Sequence, residues 1–216
     1  MENFNYVRPA KVADAVKAMK KAKDGKYLSG GHTLLPTLKQ GLAAPTDIVD
    51  LSGLKNAGVK VGAKSVTIGA GTTHAEVAGR KDLKKAIPGL AKLAGGIGHP
   101  HVRHRGTIGG SVAHSDPASD LPSVLLALGA TFIATSATGE RAIPAIDFFT
   151  GFLETAIGED ELLTEVRVPR VPGIGWSFQK FTQRAGDWAQ YGDQIRLLGQ
   201  TLAELREAER RQTAPR

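Results

Sequence analysis

Two stretches of this chain combine residue types that can handle a phosphate-bearing ligand. The first is Ser29-Gly30-Gly31-His32-Thr33, which follows the strand-like Lys26 to Ser29. Adjacent glycines lack Cβ atoms, so a diphosphate can approach the backbone, and their N–H groups with a helix start just beyond offer donors and partial positive charge. The spacing is not the Rossmann fingerprint, since no G-x-G-x-x-G follows the strand. A plain turn would use the same glycines. The second stretch is Thr107-Ile108-Gly109-Gly110-Ser111, followed by Asp116-Pro117 and Asp120. Hydroxyls flank its diglycine, and an aspartate can accept from sugar hydroxyls. The structural alternatives are a tight turn at Asp116-Pro117, the favoured reading of Asp116, and a helix N-cap at Asp120. Two diglycine loops about eighty residues apart suit one long dinucleotide better than two unrelated turns.

The elements that must hold these loops can be read from periodicity. Val12, Ala15, Val16 and Met19 recur at three and four, marking one face of a helix. A helix is expected to begin near Thr33, with Pro36 in its first turn. Asp47 to Leu51, Val59 to Val61, Ser65 to Ile68, Thr131 to Ala134 and Leu162 to Val168 read as strands. Helical patterns run from Thr73 to about Leu93, interrupted at Pro88, and from Leu121 to Leu128, whereas Gly95 to Gly110 reads as a loop and Trp176 to Phe181 as an amphipathic strand. The expected class is α+β, with a small subdomain over residues 1–55, a larger one over 56–175 and a remnant over 176–216.

The residues quoted above resemble the two flavin motifs of the FAD-binding medium subunit of the molybdenum hydroxylase family, the carbon monoxide dehydrogenase and xanthine dehydrogenase type. Gly30 to Pro36 and Thr107 to Ser111, with Asp116 to Pro122, carry the likeness, which runs from Phe4 to about Ala189. It implies the two-subdomain FAD-binding fold of the vanillyl-alcohol-oxidase (PCMH) type, with FAD between the subdomains. Leu28, Ser29, Gly30, Gly31, His32 and Thr33 would then bind the diphosphate, and Thr107, Ile108, Gly109, Gly110 and Ser111 would line the cofactor from the other side. Ile97, Asp120, Leu162 and Lys180 fall where the family has further FAD contacts. Members continue past the equivalent of Arg184 to Trp188 into a third α+β domain, while here the chain diverges after Ala189. Most of that domain is expected to be missing.

The resemblance also implies partners: a large subunit with the molybdenum cofactor and a small subunit whose iron–sulfur clusters feed electrons to FAD. No side chain need act as nucleophile or general base, because the redox chemistry belongs to the flavin. The rivals are a flavin-free assembly module of the same fold and a stand-alone FAD oxidase, for which no acid–base set is visible.

Composition narrows the rest. The chain has no cysteine, so it holds no disulfide, thiolate zinc site or iron–sulfur cluster. His99, His101 and His104 tempt a metal reading, but arginines surround them and no carboxylate or cysteine accompanies them. No apolar run approaches the ~20 residues of a membrane span, and the start lacks the pattern of a signal peptide, so a cytoplasmic protein is expected. Of the net charge of +7, residues 1–105 hold 18 Lys/Arg against 7 Asp/Glu. Their lysines sit at helical spacing without interleaved aromatics, which argues for solvated faces rather than nucleic acid and leaves an acidic protein partner as the minority idea. Ile195, Leu198, Leu202 and Leu205 make a narrow apolar stripe that could dock on the chain or on a second copy.

Overall fold

The computed structural model describes residues 2–184 and 187–188. The apolar stripe at Ile195 to Leu205 lies outside the described residues.

The first fifty residues build a three-stranded parallel sheet in the order β1-β3-β2, from β1 (Asn5–Val7), β2 (Gly25–Leu28) and β3 (Asp47–Asp50). Helix α1 (Val12–Lys21) lies between β1 and β2 in sequence, and α2 (Leu34–Lys39) between β2 and β3. The periodic face of α1 turns inward: Ala15 and Val16 are buried with Val49 and Leu54. Helix α2 starts one residue after Thr33, and Pro36 falls in its first turn, where its missing N–H has no helical acceptor to lose.

A second, antiparallel sheet of five strands has the order β4-β5-β10-β6-β7. It comprises β4 (Val59–Val61), β5 (Ser65–Gly69), β6 (Thr131–Ser136), β7 (Gly139–Pro144) and β10 (Leu162–Pro169). Helices α3 (His74–Gly79), α4 (Lys81–Ala86), α5 (Pro88–Gly96), α7 (Ile108–His114) and α8 (Asp120–Ala127) contribute to one large core with Val66, Ile68, Phe132 and Val166. A four-residue α6 (Pro100–Arg103) precedes α7, and α9 (Ala145–Phe148) leads into a small hairpin of β8 (Phe149–Gly151) and β9 (Glu154–Thr155). Phe132, Phe148 and Phe149 meet in tilted and edge-to-face contacts at centroid distances of 4.2 to 5.7 Å. Phe132 and Phe148 are fully buried, each worth roughly 1.5–3 kcal/mol, while Phe149 is half-buried beside them.

The two sheets are tied together by β10. Its pairing with β6 shifts register between Leu163 and Glu165, a bulge that breaks the strict alternation of faces. Leu162 therefore packs with Ala15, Val16 and Val49 in the small core, whereas Leu163, Val166 and Val168 all enter the large one.

Several details differ from the sequence expectation. The helical stretch from Thr73 to Leu93 is three helices rather than one pattern broken at Pro88, because Arg80 and Ile87 both adopt non-helical backbone angles. Gly95 to Gly110 is not all loop: it contains the end of α5, all of α6 and the first turn of α7. Trp176 to Phe181 forms no strand; Trp176 instead packs over Gly89.

Candidate functional site

The two glycine motifs meet. Ser29 Oγ lies 2.9 Å from Thr107 Oγ1, although Ser29 follows β2, Thr107 precedes α7 and the two are 78 positions apart. A Cβ on Gly30 would stand 2.3 Å from the Arg105 carbonyl oxygen, so the chain from one side passes against the backbone of the other. Only glycine permits that approach.

Each motif is held by ordinary local physics. Strand β2 ends at Leu28, and Gly31 then takes φ +80, the left-handed region, which turns the chain into α2. Among the described residues no protein acceptor takes the backbone N–H groups of Gly30, Gly31, His32 or Thr33. Four successive free donors around a left-handed glycine form a concavity suited to an anion. Thr107 caps α7: its hydroxyl accepts from Gly110 N at 3.1 Å, and Thr107 itself bridges to Thr73.

The two glycines of the second motif stand in different surroundings. The N–H groups of Ile108 and Gly109 are taken by the carbonyls of Thr72 and Ala70, each at 2.9 Å. A Cβ on Gly109 would meet Ala70 Cβ at 2.5 Å, so Gly109 lets α7 pack against the chain leaving β5. What α7 presents to a ligand is its hydroxyls and the space above Gly110, where an added Cβ would meet only Thr107 Oγ1 at 2.9 Å and Ser29 Cβ at 3.9 Å.

Further polar pairs follow along the chain. Ser111 Oγ lies 2.8 Å from Ser119 Oγ, one residue before Asp120. Asp120 is 6 % exposed and receives a hydrogen bond from Lys180 Nζ at 3.0 Å on Oδ2, while Oδ1 is buried with no partner. Burial pushes the Asp120 carboxyl above the usual carboxylate range, with the Lys180 ammonium pulling against it. An orphaned buried acceptor of this kind needs a donor to complete it. Asp120 heads α8, but its side chain caps nothing there. Asp116 accepts from Ala118 N at 2.8 Å and makes the tight turn that its sequence suggested.

The remaining candidates make other contacts. The Leu162 side chain is 4 % exposed in the small core, so only its backbone remains to meet a ligand. Ile97 is half-buried against the large core, and its carbonyl accepts from Arg103 Nη1 at 3.3 Å. His32 Nε2 lies 3.3 Å from the His101 carbonyl, and Leu28 closes β2 beside Asp50.

Sequence reasoning missed His74 and Gly106. The His74 imidazole is 5 % exposed, its Nδ1 has no partner, and a Cβ on Gly106 would strike it at 2.9 Å. Burial, with a smaller contribution from nearby His32, drives its pKa down to about 4, so it is neutral at pH 7. The available signal was the box Thr73-x-x-Glu76, which places His74 in the first turn of α3 beneath the loop that carries Gly106.

A free anion cradle, an open space over Gly110 and an unpaired buried carboxylate oxygen form a donor and acceptor set that fits a flavin dinucleotide. Comparison with known proteins agrees. Residues 2–171 match the family described as the FAD binding domain in molybdopterin dehydrogenase. The chain is 36% identical over 208 residues to the carbon monoxide dehydrogenase medium chain of Hydrogenophaga pseudoflava, covering 94% of this chain and 72% of that one. It is also 36% identical to the glyceraldehyde dehydrogenase medium chain of Sulfolobus acidocaldarius, covering 94% of this chain and 73% of the relative. A solved structure of carbon monoxide dehydrogenase from Hydrogenophaga pseudoflava, lacking the Mo-pyranopterin moiety of its cofactor, superposes with a TM-score of 0.85 at 37% identity, over 87% of this chain and 67% of that one. The chain therefore belongs to the family of FAD-binding domains of molybdopterin dehydrogenases, flavoprotein oxidoreductase subunits related to the medium chain of carbon monoxide dehydrogenase.

Proposed function

We propose that the chain holds FAD across the junction of its two sheets and relays electrons from iron–sulfur clusters in a small partner subunit, which receive them from a molybdenum-cofactor large subunit, to an acceptor. The flavin supplies the redox chemistry when bound. The protein's part is to bind and orient it. In this reading residues 1–55 and 56–175 are the two FAD-binding subdomains. Leu28 to Thr33 receive the diphosphate, with the N–H groups of Gly30 to Thr33 as donors. Thr107 to Ser111 flank the cofactor from α7, and Asp120, set by Lys180, accepts a hydrogen bond from it. Ile97 and the backbone of Leu162 complete the contacts.

The observation that carries the proposal is the Ser29–Thr107 contact, which brings the two glycine motifs to one place. The relatives named as medium chains of dehydrogenases support the place in a multi-subunit enzyme. The test is a titration of the purified protein with FAD, read by flavin absorbance and fluorescence. Stoichiometric binding that Gly110→Val abolishes without unfolding supports the assignment. Binding that survives Gly110→Val refutes it.

A further inference from the structure

The strongly basic first half of the chain is not absorbed by cofactor binding, and part of it converges on one feature. Helices α3 and α5 pack so closely that a Cβ on Gly95 would lie 3.7 Å from Ala78 Cβ. Their small side chains, Ala75, Ala78, Ala91 and Gly95, floor an open trough of about 580 Å³. Its walls carry Lys84, Lys92, Arg103 and His104, and none of its lining residues is a carboxylate.

The carboxylates closest in sequence are already engaged: Glu76 closes the cap of α3, and Asp82 is paired with Arg80 at 2.6 Å. Among the described residues Lys84 has no acidic partner, and Lys92 has only the Trp176 ring, 5.2 Å from its ammonium. Arg103 Nη1 donates to the Gly98 carbonyl at 2.8 Å, so its guanidinium is fixed in place. A concave strip with a shallow small-residue floor and only cationic walls favours an extended chain bearing carboxylates, whose backbone can lie close to the floor while its side chains reach the walls. It lacks the enclosure expected of a small-molecule site.

We propose that this trough is a docking site for an acidic segment of a partner subunit. The inference rests on the reading that the chain works in a complex, and it names the surface and the chemistry of the contact. The probe is a fluorescein-labelled ten-residue peptide of alternating Glu and Ala, titrated against the FAD-loaded full chain by anisotropy at low salt. The comparison is between Lys84→Glu with Lys92→Glu and a control, Lys17→Glu with Lys20→Glu on α1, which changes the net charge equally. The trough variant is expected to weaken binding at least fivefold more than the control while keeping full FAD content. Equal weakening in both variants, or no binding to the parent chain, overturns the proposal. Competition by AMP at concentrations matched in charge would make the trough a phosphate site instead and also overturns it. Loss of FAD in the trough variant would place these lysines in the cofactor site and refute the separation of the two surfaces, whereas failure of the peptide arm alone leaves the cofactor reading standing.

Discussion

Lys180 places its ammonium 3.0 Å from the Oδ2 of Asp120, sixty residues earlier in the chain, and so opposes the burial that pushes this carboxyl above the usual range. The other oxygen, Oδ1, is buried and unpaired. The pair thus holds one acceptor ready for a ligand while the second is satisfied.

Removing the lysine tests this relationship. Lys180→Met leaves the buried carboxylate uncompensated and is expected to lower stability at pH 7 by about 1–3 kcal/mol, less than for a fully enclosed pair because the Lys180 side chain is 20% exposed. A group whose folded pKa is raised contributes stability below its unfolded value and loses it as pH rises through the folded pKa. The variant should therefore lose more ground to the parent as pH rises from 4 to 7. Adding Asp120→Asn should recover most of the loss. Urea midpoints across that range for the two single variants and the double variant decide it, and independent effects would show that the contact couples nothing.

Acid should destabilise the protein through His74. Its folded pKa is about 4 against an ordinary 6.5, so the unfolded chain binds the extra proton as pH falls through that window and the folded chain does not. Stability is full above 6.5 and declines toward 4, by up to roughly 3 kcal/mol, since each tenfold change in proton affinity is worth about 1.4 kcal/mol. In His74→Leu the decline should flatten. A pH profile parallel to the parent's would show that other groups govern acid unfolding.

The two diglycines should answer differently to alanine. Gly30→Ala drives a methyl into the Arg105 carbonyl, where backbone must shift, and is expected to cost about 1–3 kcal/mol along with FAD affinity. Gly110→Ala sets its methyl 2.9 Å from Thr107 Oγ1, the oxygen that caps α7, so it is expected to cost no more than about the 1 kcal/mol of that cap while FAD affinity falls. Thermal denaturation of the apoprotein and FAD titration, run on both variants, separate packing from ligand space.

Much of this architecture was legible because local signals agreed with the tertiary result. The three–four spacing of Val12, Ala15, Val16 and Met19 and the alternation in β5 match buried faces, and the strand expected before Gly30-Gly31 is β2. What was not legible has physical causes. Gly109 and Gly110 look alike in sequence, yet one is needed for helix packing against Ala70 and the other faces open space, a distinction made only by what lies across from them. His74 is silent in sequence because its burial depends on the distant Gly106. The resemblance implies a cofactor contact at Leu162, and a one-residue bulge in β10 turns its side chain into the small core, which leaves its backbone for that role.

The Ser29–Thr107 hydroxyl pair yields the last test. Thr107 Oγ1 both caps α7, accepting from Gly110 N, and meets Ser29 at 2.9 Å, so one oxygen serves a helix and the junction between sheets. Thr107→Val keeps the shape but loses both roles, and the lost cap alone is expected to cost about 1 kcal/mol. Ser29→Ala loses only the junction bond, about 0.5–1.5 kcal/mol. If the junction bond is formed in the folded protein, the double variant should be less destabilised than the two single losses together, by about the value of that bond. The apoprotein's urea unfolding gives the cycle. Repeating it with FAD bound asks whether the ligand depends on the same alignment: a coupling that grows when FAD is present means the pair sets the spacing of the two motifs for the cofactor, and a coupling that stays near zero in both states would show that the motifs are held together by backbone packing at Gly30 alone.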